Sequence, residues 1–410
     1  IRGPIPLSDY DVAIVGAGFV GASLAIALNR CGLNVIVIDS RTPLVEVGSE
    51  DVRGLALSPS SQSVFSELGL WSTIKERAVP IREIRVSEQG SIPTVNLSAA
   101  EFGLSALAHV VPADHLLRTI ENQLLNEAKV LWRTSVDVYR TRENGVQISV
   151  SESGGSAQQV NAKVVVGADG VNSKVRELAN ISSTIRAYNQ QAIVAMVRID
   201  GLKPDLAVER FTSTGPVALL PSSQERHVLV RCCRLEETER LMAMNDETFI
   251  ADVMQRLARP VGMMRELGQR RAHPLILSQA DALTADRVVL IGAAAVTVHP
   301  NAAQGLNLGM RDVADLCQSL AARDELQLGC NERLEQFAIK RKQDQQRVVR
   351  LTDALARGFS ADFPGLRFAR SLGLLAAKLS HNLRREIIYQ GIGQGRVPSL
   401  PFIERRSSVH

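Results

Sequence analysis

The sequence has few cysteines and few aromatic residues. Its 410 residues include five Cys, two Trp and four Tyr, and aromatic residues make up 4% of the chain. No two cysteines have the Cys-x-x-Cys spacing, so the sequence predicts neither a disulfide scaffold nor a zinc site, and it indicates a reducing compartment. Stacking platforms for single-stranded nucleic acid need aromatic side chains, so we expect no nucleic-acid partner.

Long apolar stretches are also absent. The longest, at 288–298, is interrupted by Gly292 and is too short to span a bilayer. The first residues lack the basic and apolar regions of a signal peptide, so the sequence predicts a cytoplasmic protein. Charge is uneven, because 341–410 holds thirteen Lys and Arg against five Asp and Glu, whereas the net charge of the chain is only +4. This excess favours an anionic partner surface or a solvated helical tail.

The first forty residues predict a βαβ unit. Apolar runs at 10–15 and 35–38 predict strands, and the spacing at 19–30 predicts a helix between them. The turn before this helix is Gly-x-Gly-x-x-Gly, formed by Gly16, Gly18 and Gly21. These glycines permit a tight turn, close approach of a pyrophosphate and close helix packing. Asp39 ends the second strand, where a carboxylate binds an adenosine ribose and disfavours a 2′-phosphate.

The remaining pattern mixes helices and strands. It predicts a helix over 60–77, a helix over 114–128 with Asp114 as N-cap, and a mostly helical chain from Gly305 onward. Strands are predicted within 80–98, 130–150, 160–166, 193–199, 217–220, 227–232 and 287–291, with a helix near 246–258. No long linker separates these parts, so we expect interleaved domains.

Two further motifs follow predicted strands, GADGVNSKVR at 167–176 and HPNAAQGLNLGMRD at 299–312. With the first glycine turn, DVRGLALS at 51–58 and ERFTSTGPVALLP at 209–221, they resemble the FAD-dependent aromatic hydroxylases of the para-hydroxybenzoate hydroxylase fold. The chain most resembles their ubiquinone-biosynthesis branch, which includes 2-polyprenyl-6-methoxyphenol hydroxylases. The resemblance implies an α/β fold in which a Rossmann-like FAD-binding domain carries an inserted β-rich substrate domain and a helical C-terminal tail.

The resemblance also implies domain bounds and site residues. The FAD-binding domain comprises 1–78, 99–180 and 276–335, the substrate domain 79–98 and 181–275, and the helical tail 336–410. Arg53 and Arg118 match basic positions near the flavin ribityl chain and pyrophosphate. The FAD-contacting residues implied are Gly16, Gly18, Gly21, Asp39, Arg53, Arg118, Asp169, Gly170, Gly292, Gln304, Gly305, Leu306 and Asn307. His299 and Pro300 are candidates for the edge between flavin and substrate, and Arg311 and Asp312 are expected to form a local ion pair.

The reaction implied is ring hydroxylation of a polyprenyl phenol. NADH or NADPH reduces FAD, O2 adds to the reduced flavin, and the resulting C4a-hydroperoxide transfers oxygen to the ring. Two alternatives stay open on the same fold, a hydroxylase of another aromatic compound and a reductase of isoprenoid lipids. A third is a scaffold or lipid-binding protein of the ubiquinone-synthesis assembly with weakened FAD binding.

Three residues depart from the family pattern and predict weak FAD binding. Ala293 follows Gly292 where the family has Asp or Asn, and alanine cannot form the expected hydrogen bonds to the ribityl chain. Ala303 replaces a glycine, and its methyl group is expected to crowd the flavin or shift the loop. Val296 replaces a His or Gln.

The C-terminal region carries an amphipathic pattern. Apolar residues recur at helical spacing at Phe368, Leu372, Leu375, Leu379, Leu383 and Ile387. Basic residues flank them, so 364–388 is a candidate for peripheral contact with the inner membrane. A helix packed on the core of the protein, or a contact with other ubiquinone-synthesis proteins, would give the same pattern.

Overall fold

A computed structural model describes most of the chain. The described residues are 10–47, 53–142, 144–152, 155, 157–223, 225–257, 261–299, 303–321, 328–360, 373, 375, 376, 378–392, 400 and 401. The strands are β1 (Tyr10–Val15), β2 (Val35–Ile38), β3 (Gly54–Leu57), β4 (Val79–Ile81), β5 (Glu83–Glu88), β6 (Thr94–Ser98), β7 (Ala108–Pro112), β8 (Lys129–Leu131), β9 (Thr134–Arg142), β10 (Gly145–Glu152), β11 (Gln158–Gly167), β12 (Ser183–Asp200), β13 (Leu206–Phe211), β14 (Val217–Pro221), β15 (Arg226–Arg234), β16 (Met263–Leu267), β17 (Arg271–Ala280), β18 (Thr284–Ala285), β19 (Val288–Leu290) and β20 (Val296–Thr297).

The α-helices fall mainly around the first sheet and near the C-terminus. They are α1 (Phe19–Arg30), α2 (Leu44–Val47), α3 (Pro59–Glu67), α4 (Trp71–Ile74), α5 (Ala113–Glu127), α6 (Lys174–Leu178), α7 (Leu235–Ala243), α8 (Asp246–Leu257), α9 (Gln304–Leu320), α10 (Asn331–Ser360) and α11 (His381–Ile392). Short 3₁₀ turns occur at Lys75–Arg77, Ala100–Phe102 and Gly292–Ala294.

The first sheet has a parallel centre. Its strand order is β18-β19-β11-β1-β2-β8, and β9 and β10 extend it as a hairpin on β11. β1 pairs in parallel with β2 and with β11, and β11 pairs in parallel with β19. Both faces of these strands are buried, which explains their uninterrupted apolar sequences. Apolar residues of α1, α5 and α9 pack on one face, and the predicted βαβ unit is confirmed with its predicted bounds.

The second sheet is antiparallel for most of its width. Its order is β20-β17-β12-β15-β14-β13-β5-β6, with β16 paired to β12. One face packs on α7 and α8, where Leu241 and Phe249 are buried against residues such as Val208. The opposite face meets a small third sheet, β3-β7-β4, through contacts that include Ala207 and Val110. The predicted α/β fold class with a β-rich inserted section is therefore confirmed, and the exact domain bounds stay a prediction.

Some details of the predicted elements were wrong. The helix predicted over 60–77 is divided, because α3 ends at Glu67, α4 begins at Trp71, and the last turn at Lys75–Arg77 is 3₁₀. Asp114 is not the N-cap of α5, because the helix starts at Ala113 after Pro112 and no side chain caps it. Asp114 lies in the first turn, where a carboxylate still interacts favourably with the helix dipole. Helix α7 was not predicted, because its charged sequence has only a narrow apolar stripe around Leu241.

Candidate active site

The predicted motifs meet at one edge of the first sheet. Because β2, β1, β11 and β19 are parallel neighbours, their carboxyl ends lie side by side. The Gly16 amide donates to the Ile38 carbonyl at 2.8 Å, and the Ala168 amide donates to the Val15 carbonyl at 2.8 Å. The turns that follow these strands therefore form a continuous line, which is where ligands bind in open parallel sheets.

The first glycine turn is closed on one side and open on the other. Gly16 has φ +105°, and a Cβ there would lie 2.4 Å from the Ala168 carbonyl oxygen. A Cβ on Gly21 would lie 2.0 Å from the Gly16 carbonyl oxygen, so these two positions require glycine. Gly18 has no atom within 4 Å of its Cβ position and begins α1 without a side-chain cap. The free amides of this helix end therefore face open space that suits an anion.

Asp39 is positioned by this same turn. Its carboxylate accepts hydrogen bonds from the Ala17 amide at 2.6 Å and from the Arg41 amide at 2.8 Å. The Arg41 guanidinium lies 3.4 Å from this carboxylate, donates to the Ala17 carbonyl at 2.7 Å and stacks over Trp132. Asp39 is thus held beside the glycine turn, and its binding of a ribose stays a prediction. Arg41 was missed, because a lone Arg gives no signal in the sequence.

The second motif is a turn held by hydrogen bonds between its own residues. The Asp169 carboxylate accepts hydrogen bonds from the Ser173 hydroxyl at 2.5 Å and the Lys174 amide at 2.6 Å. Gly170 has φ +86°, which glycine adopts readily. Buried Arg176 donates to the Ala294 carbonyl at 2.9 Å and so connects this turn to the loop after β19. The spacing of Asp169, Ser173 and Arg176 in the motif therefore has a structural cause within this chain, whereas the contact of the motif with a flavin stays a prediction.

Asp312 of α9 holds the loop after β19 in place. The Gly292 amide donates to Asp312 Oδ2 at 2.9 Å, and Arg341 Nε donates to Asp312 Oδ1 at 2.6 Å. The side chains of Arg341 and Asp312 are 3% and 0% exposed. The predicted Arg311–Asp312 ion pair is wrong, since Arg311 instead pairs with Asp344 of α10 at 2.8 Å. Adjacent residues on a helix point in different directions, so each meets a different part of α10.

The amino end of α9 combines strain with open space. Ala303 precedes the helix in the left-handed region, with φ +49° and ψ +42°. Gly305 has no atom within 4 Å of its Cβ position, and Leu306 is partly exposed. Farther along α9, a Cβ on Gly309 would lie 2.4 Å from Val20 of α1. The amino ends of α1 and α9 therefore converge on the same edge.

Asn307 and Gln304 are buried beneath this helix end. Asn307 Oδ1 accepts hydrogen bonds from the Ser58 amide at 2.9 Å and the Ser61 hydroxyl at 2.7 Å, and its Nδ2 donates to the Ala56 and Ala303 carbonyls. Both functions of the amide are used within the protein. The side chain of Asn307 therefore positions β3 against α9, and a contact of Asn307 with a cofactor would fall to its backbone.

The remaining predicted residues lie around this edge. Arg53 is exposed, and its carbonyl accepts the Ala113 amide at 3.0 Å, which places it at the start of α5. Arg118 is partly buried on α5, whose apolar residues share a cluster with α1. His299 is fully buried and packs edge-on to Tyr188 at 4.9 Å, and burial lowers the pKa of its imidazole to about 4. The role of His299 at the flavin edge stays a prediction. Asp51, Val52 and Pro300 lie outside the described residues.

This arrangement fits a dinucleotide with a flavin. Two uncapped helix ends offer amides, two glycines leave space, and the Asp39 carboxylate lies beside the first glycine turn. Ala293, Val296 and Ala303 are the departures from the family pattern in the described part of this site.

The FAD binding domain family matches residues 9–352. The chain belongs to that family. It is 35% identical to ubiquinone hydroxylase UbiL of Rhodospirillum rubrum over 93% of this chain and 89% of that protein. It is 31% identical to 3-demethoxyubiquinol 3-hydroxylase of Escherichia coli over 93% of this chain and 98% of that protein. These relatives confirm the resemblance to the FAD-dependent hydroxylases of ubiquinone biosynthesis.

Solved structures support the fold. The chain matches p-nitrophenol 4-monooxygenase PnpA of Pseudomonas putida with a TM-score of 0.77 and 18% identity, over 95% of this chain and all of that one. It matches PqsL of Pseudomonas aeruginosa with a TM-score of 0.75 and 24% identity, over 89% of this chain and all of that one. Separately, no helix among the described residues has both the length and the apolar character needed to cross a bilayer.

Proposed function

We propose that this FAD-dependent hydroxylase hydroxylates the ring of a polyprenyl phenol in ubiquinone biosynthesis, with NADH or NADPH as reductant and O2 as oxidant. The observation that carries the proposal is the convergence of three separate motifs on one sheet edge, in a chain 35% identical to a ubiquinone hydroxylase. Bound FAD supplies the redox chemistry, namely acceptance of a hydride and activation of O2. The protein has to bind, orient and shield the reactants.

Each part of the edge has a role in this proposal. The open amino end of α1 at Gly18 binds the pyrophosphate, and the Asp39 carboxylate accepts hydrogen bonds from the ribose. Arg53 and Arg118 supply positive charge to the same diphosphate. The backbone amides at the start of α9, next to Gly305, stabilise negative charge on the reduced ring system. Asp169, Gly170 and Gly292 line the space between these two ends.

The binding site can be tested at Gly18. A Gly18→Ala methyl group would occupy the open space at the end of α1, so we expect at least tenfold weaker FAD binding in a flavin-fluorescence titration. The unfolding free energy should not fall, because the methyl group meets no protein atom, and it should rise by about 0.4–1 kcal/mol, since Gly18 has an extended backbone that alanine adopts. Gly155→Ala, in the β10–β11 turn, is the control, since its Cβ would have only ordinary contacts of 3.4 and 3.5 Å. FAD binding unaffected by Gly18→Ala would refute the placement of the diphosphate.

The activity needs its own assay. Purified protein with FAD and NADPH or NADH should convert 2-polyprenylphenol into a hydroxylated product, identified by mass spectrometry with ¹⁸O2. Cofactor oxidation with peroxide but no labelled product would contradict the hydroxylase.

The same proposal includes contact with a membrane through α11 and the residues just before it. Leu375, Leu379, Leu383 and Ile387 are exposed, Leu379 by 75%. They form an outward stripe, while Ile388 on the other side of α11 is buried against Val95 and Leu97. Arg384 forms an ion pair with Glu101, which holds α11 on the body of the protein. Phe368 and Leu372, the first residues of the predicted stripe, lie outside the described residues.

This exposed stripe suits a lipid surface that contains a polyprenyl substrate. Lys378 and Arg385 flank it and favour anionic headgroups. Leu379→Glu combined with Leu383→Glu should weaken binding to phosphatidylglycerol vesicles at least tenfold, since each buried Leu contributes about 1.5–3 kcal/mol. Ile339→Glu is the control, because Ile339 is 62% exposed on α10. Unchanged vesicle binding by the double variant would exclude this contact.

A second candidate is a lipid-binding member of the ubiquinone-synthesis assembly that has lost tight FAD binding. Ala303 favours it, because a left-handed alanine stands where the family has glycine. Absorbance near 450 nm that stays with the protein after gel filtration with FAD would rule this candidate out. Co-purification with other ubiquinone-synthesis proteins in the absence of bound flavin would support it.

A further inference from the structure

The face of the second sheet that meets the third sheet is built in rows. One row contains Ala207, Leu220, Val228 and Met196, as the registers of β13, β14, β15 and β12 show. This row packs on the third sheet, since Ala207 shares a cluster with Val110 and a Cβ on Gly54 would lie 2.8 Å from Val228. β3, which carries Gly54, continues to Ser58, and Ser58 is bonded to Asn307 of α9. Val230 of the next row belongs to a cluster with Tyr188, and Tyr188 packs against His299 in the loop after β19 at 4.9 Å, so the next row lies beside the proposed flavin site.

That next row contains one carboxyl group among apolar neighbours. Glu209 of β13 lies opposite Ala218 of β14 and opposite Val86 of β5. Ala218 in turn lies opposite Val230 of β15, and Val230 opposite Val194 of β12. Adjacent strands are about 4.8 Å apart, so Glu209 has only small or apolar side chains on either side of it in this row.

The Glu209 carboxylate has no polar partner among the described residues. Within the part of the chain that the structure describes, its carboxylate has neither a hydrogen bond nor an ion pair, although it is only partly exposed. Burial raises the pKa of this carboxyl to about 7. A carboxylate in an apolar row costs stability unless water or a ligand bonds to it, and Glu209 is partly exposed, so a ligand on this face can reach it.

A cluster of packed apolar residues lies between Glu209 and the proposed membrane contact. Val86, opposite Glu209, belongs to the cluster of Val95, Leu97 and Ile388. Ile388 is on α11, whose other side carries the exposed stripe that includes Leu383. Glu209 therefore lies on the face of the second sheet against which α11 packs.

We propose that the Glu209 carboxylate accepts a hydrogen bond from the phenol hydroxyl of the substrate and thereby sets the orientation of the ring. This inference rests on the proposed function. The hydrogen bond is charge-assisted, which makes it stronger than a neutral one and specific for a ring that carries a free hydroxyl group. Substrates whose hydroxyl is blocked lose this contact.

Other titratable groups of this face lie in neighbouring rows or on a strand farther along the sheet. Glu88 of β5 lies opposite Phe211, one row away from Glu209. Cys232 of β15 is also one row away, and burial raises the pKa of its thiol to about 12, so it stays neutral. Arg271 and His273 are on β17, beyond β12. The third sheet presents Ala56, Ala108 and Val110, which do not titrate.

The test compares a phenol with its methyl ether. Calorimetry on the FAD-loaded full chain would measure binding of 2-prenylphenol and of 2-prenylanisole, whose oxygen cannot donate. Glu209→Gln should weaken binding of the phenol at least tenfold and leave the ether unchanged. The control is Glu83→Gln at the exposed start of β5, where Glu83 pairs with Lys203 at 3.0 Å. It should bind both compounds like the wild type.

The pH dependence provides a second measurement. Wild-type affinity for the phenol should increase from pH 6 to pH 8, as the carboxyl becomes the better acceptor, and Glu209→Gln should abolish this change. Glu209→Asp keeps the acid and should keep a pH-dependent affinity, so the inference stays testable if the amide variant does not fold.

Three results would overturn the inference. They are equal phenol affinity of Glu209→Gln and the wild type, equal weakening of phenol and ether, and a wild-type affinity that does not change with pH. A wild type that binds neither compound would instead contradict the proposed substrate class, and the inference with it.

Discussion

Restoring the family residues at positions 293 and 303 should separate loop stability from FAD affinity. Ala303 has φ +49° and ψ +42°. This conformation costs an L-residue about 1–2 kcal/mol, whereas glycine adopts it freely but loses about 0.5–1 kcal/mol more entropy on folding. Ala303→Gly should therefore raise the unfolding free energy by about 0.5–1 kcal/mol in urea titrations without FAD.

Ala293→Asp should act on the cofactor instead. Ala293 is exposed between buried Gly292 and Ala294, so a larger side chain fits without repacking. A hydrogen bond from FAD to the new carboxylate contributes about 1–3 kcal/mol, or about 5- to 150-fold in affinity. Flavin-fluorescence titration measures this gain, and we expect the urea midpoint without FAD to be unchanged.

A matched substitution controls for glycine itself. Ala321 ends α9 with φ −78°, so Ala321→Gly gains no conformational relief and should lower the unfolding free energy by about 0.5–1 kcal/mol. The reasoning is refuted if Ala303→Gly destabilises the protein as Ala321→Gly does. An unchanged FAD affinity in Ala293→Asp would show that the loop after β19 does not contact the cofactor.

Three further predictions concern buried charges. Arg341→Ala leaves Asp312 buried without its ion-pair partner and should lower the unfolding free energy by about 3–5 kcal/mol in chemical denaturation. The control Lys340→Ala removes a partly exposed ion pair with Asp315 and should lower the unfolding free energy by at most about 1 kcal/mol. The folded protein keeps the Glu209 proton up to about pH 7, whereas the unfolded chain releases it near pH 4.5. The contribution of Glu209 to the unfolding free energy should therefore fall as the pH rises from 4.5 to 7. A Glu209→Gln variant whose unfolding free energy has the same pH dependence as that of the wild type would contradict this. The contribution of His299 to the unfolding free energy changes with pH in the opposite direction, because burial lowers the pKa of its imidazole in the folded protein to about 4. NMR should show the His299 ring neutral at pH 5.5. A charged ring at that pH would disprove its burial against Tyr188.

The sequence alone was sufficient for the fold class and for the approximate location of the cofactor edge. The glycine spacing at 16–21 and the apolar runs on both sides of it allow only a tight βαβ turn, because a Cβ at Gly16 or Gly21 would overlap the backbone. Such constraints are local, so they can be read from adjacent residues. The departures at Ala293 and Ala303 were also visible in the sequence, although the left-handed conformation of Ala303 was not.

Only the tertiary structure decided what the buried polar groups do. Asp312 was expected to pair with its neighbour Arg311, yet it joins Gly292 to Arg341, which is 29 residues away in α10. Asn307 uses its amide to join β3 to α9 rather than to reach a ligand. Glu209 shows no local signal in the sequence, because its significance comes from apolar residues on four other strands. Partners of this kind depend on which elements pack together, and the hydrophobic pattern fixes which face is buried but not which polar groups meet inside.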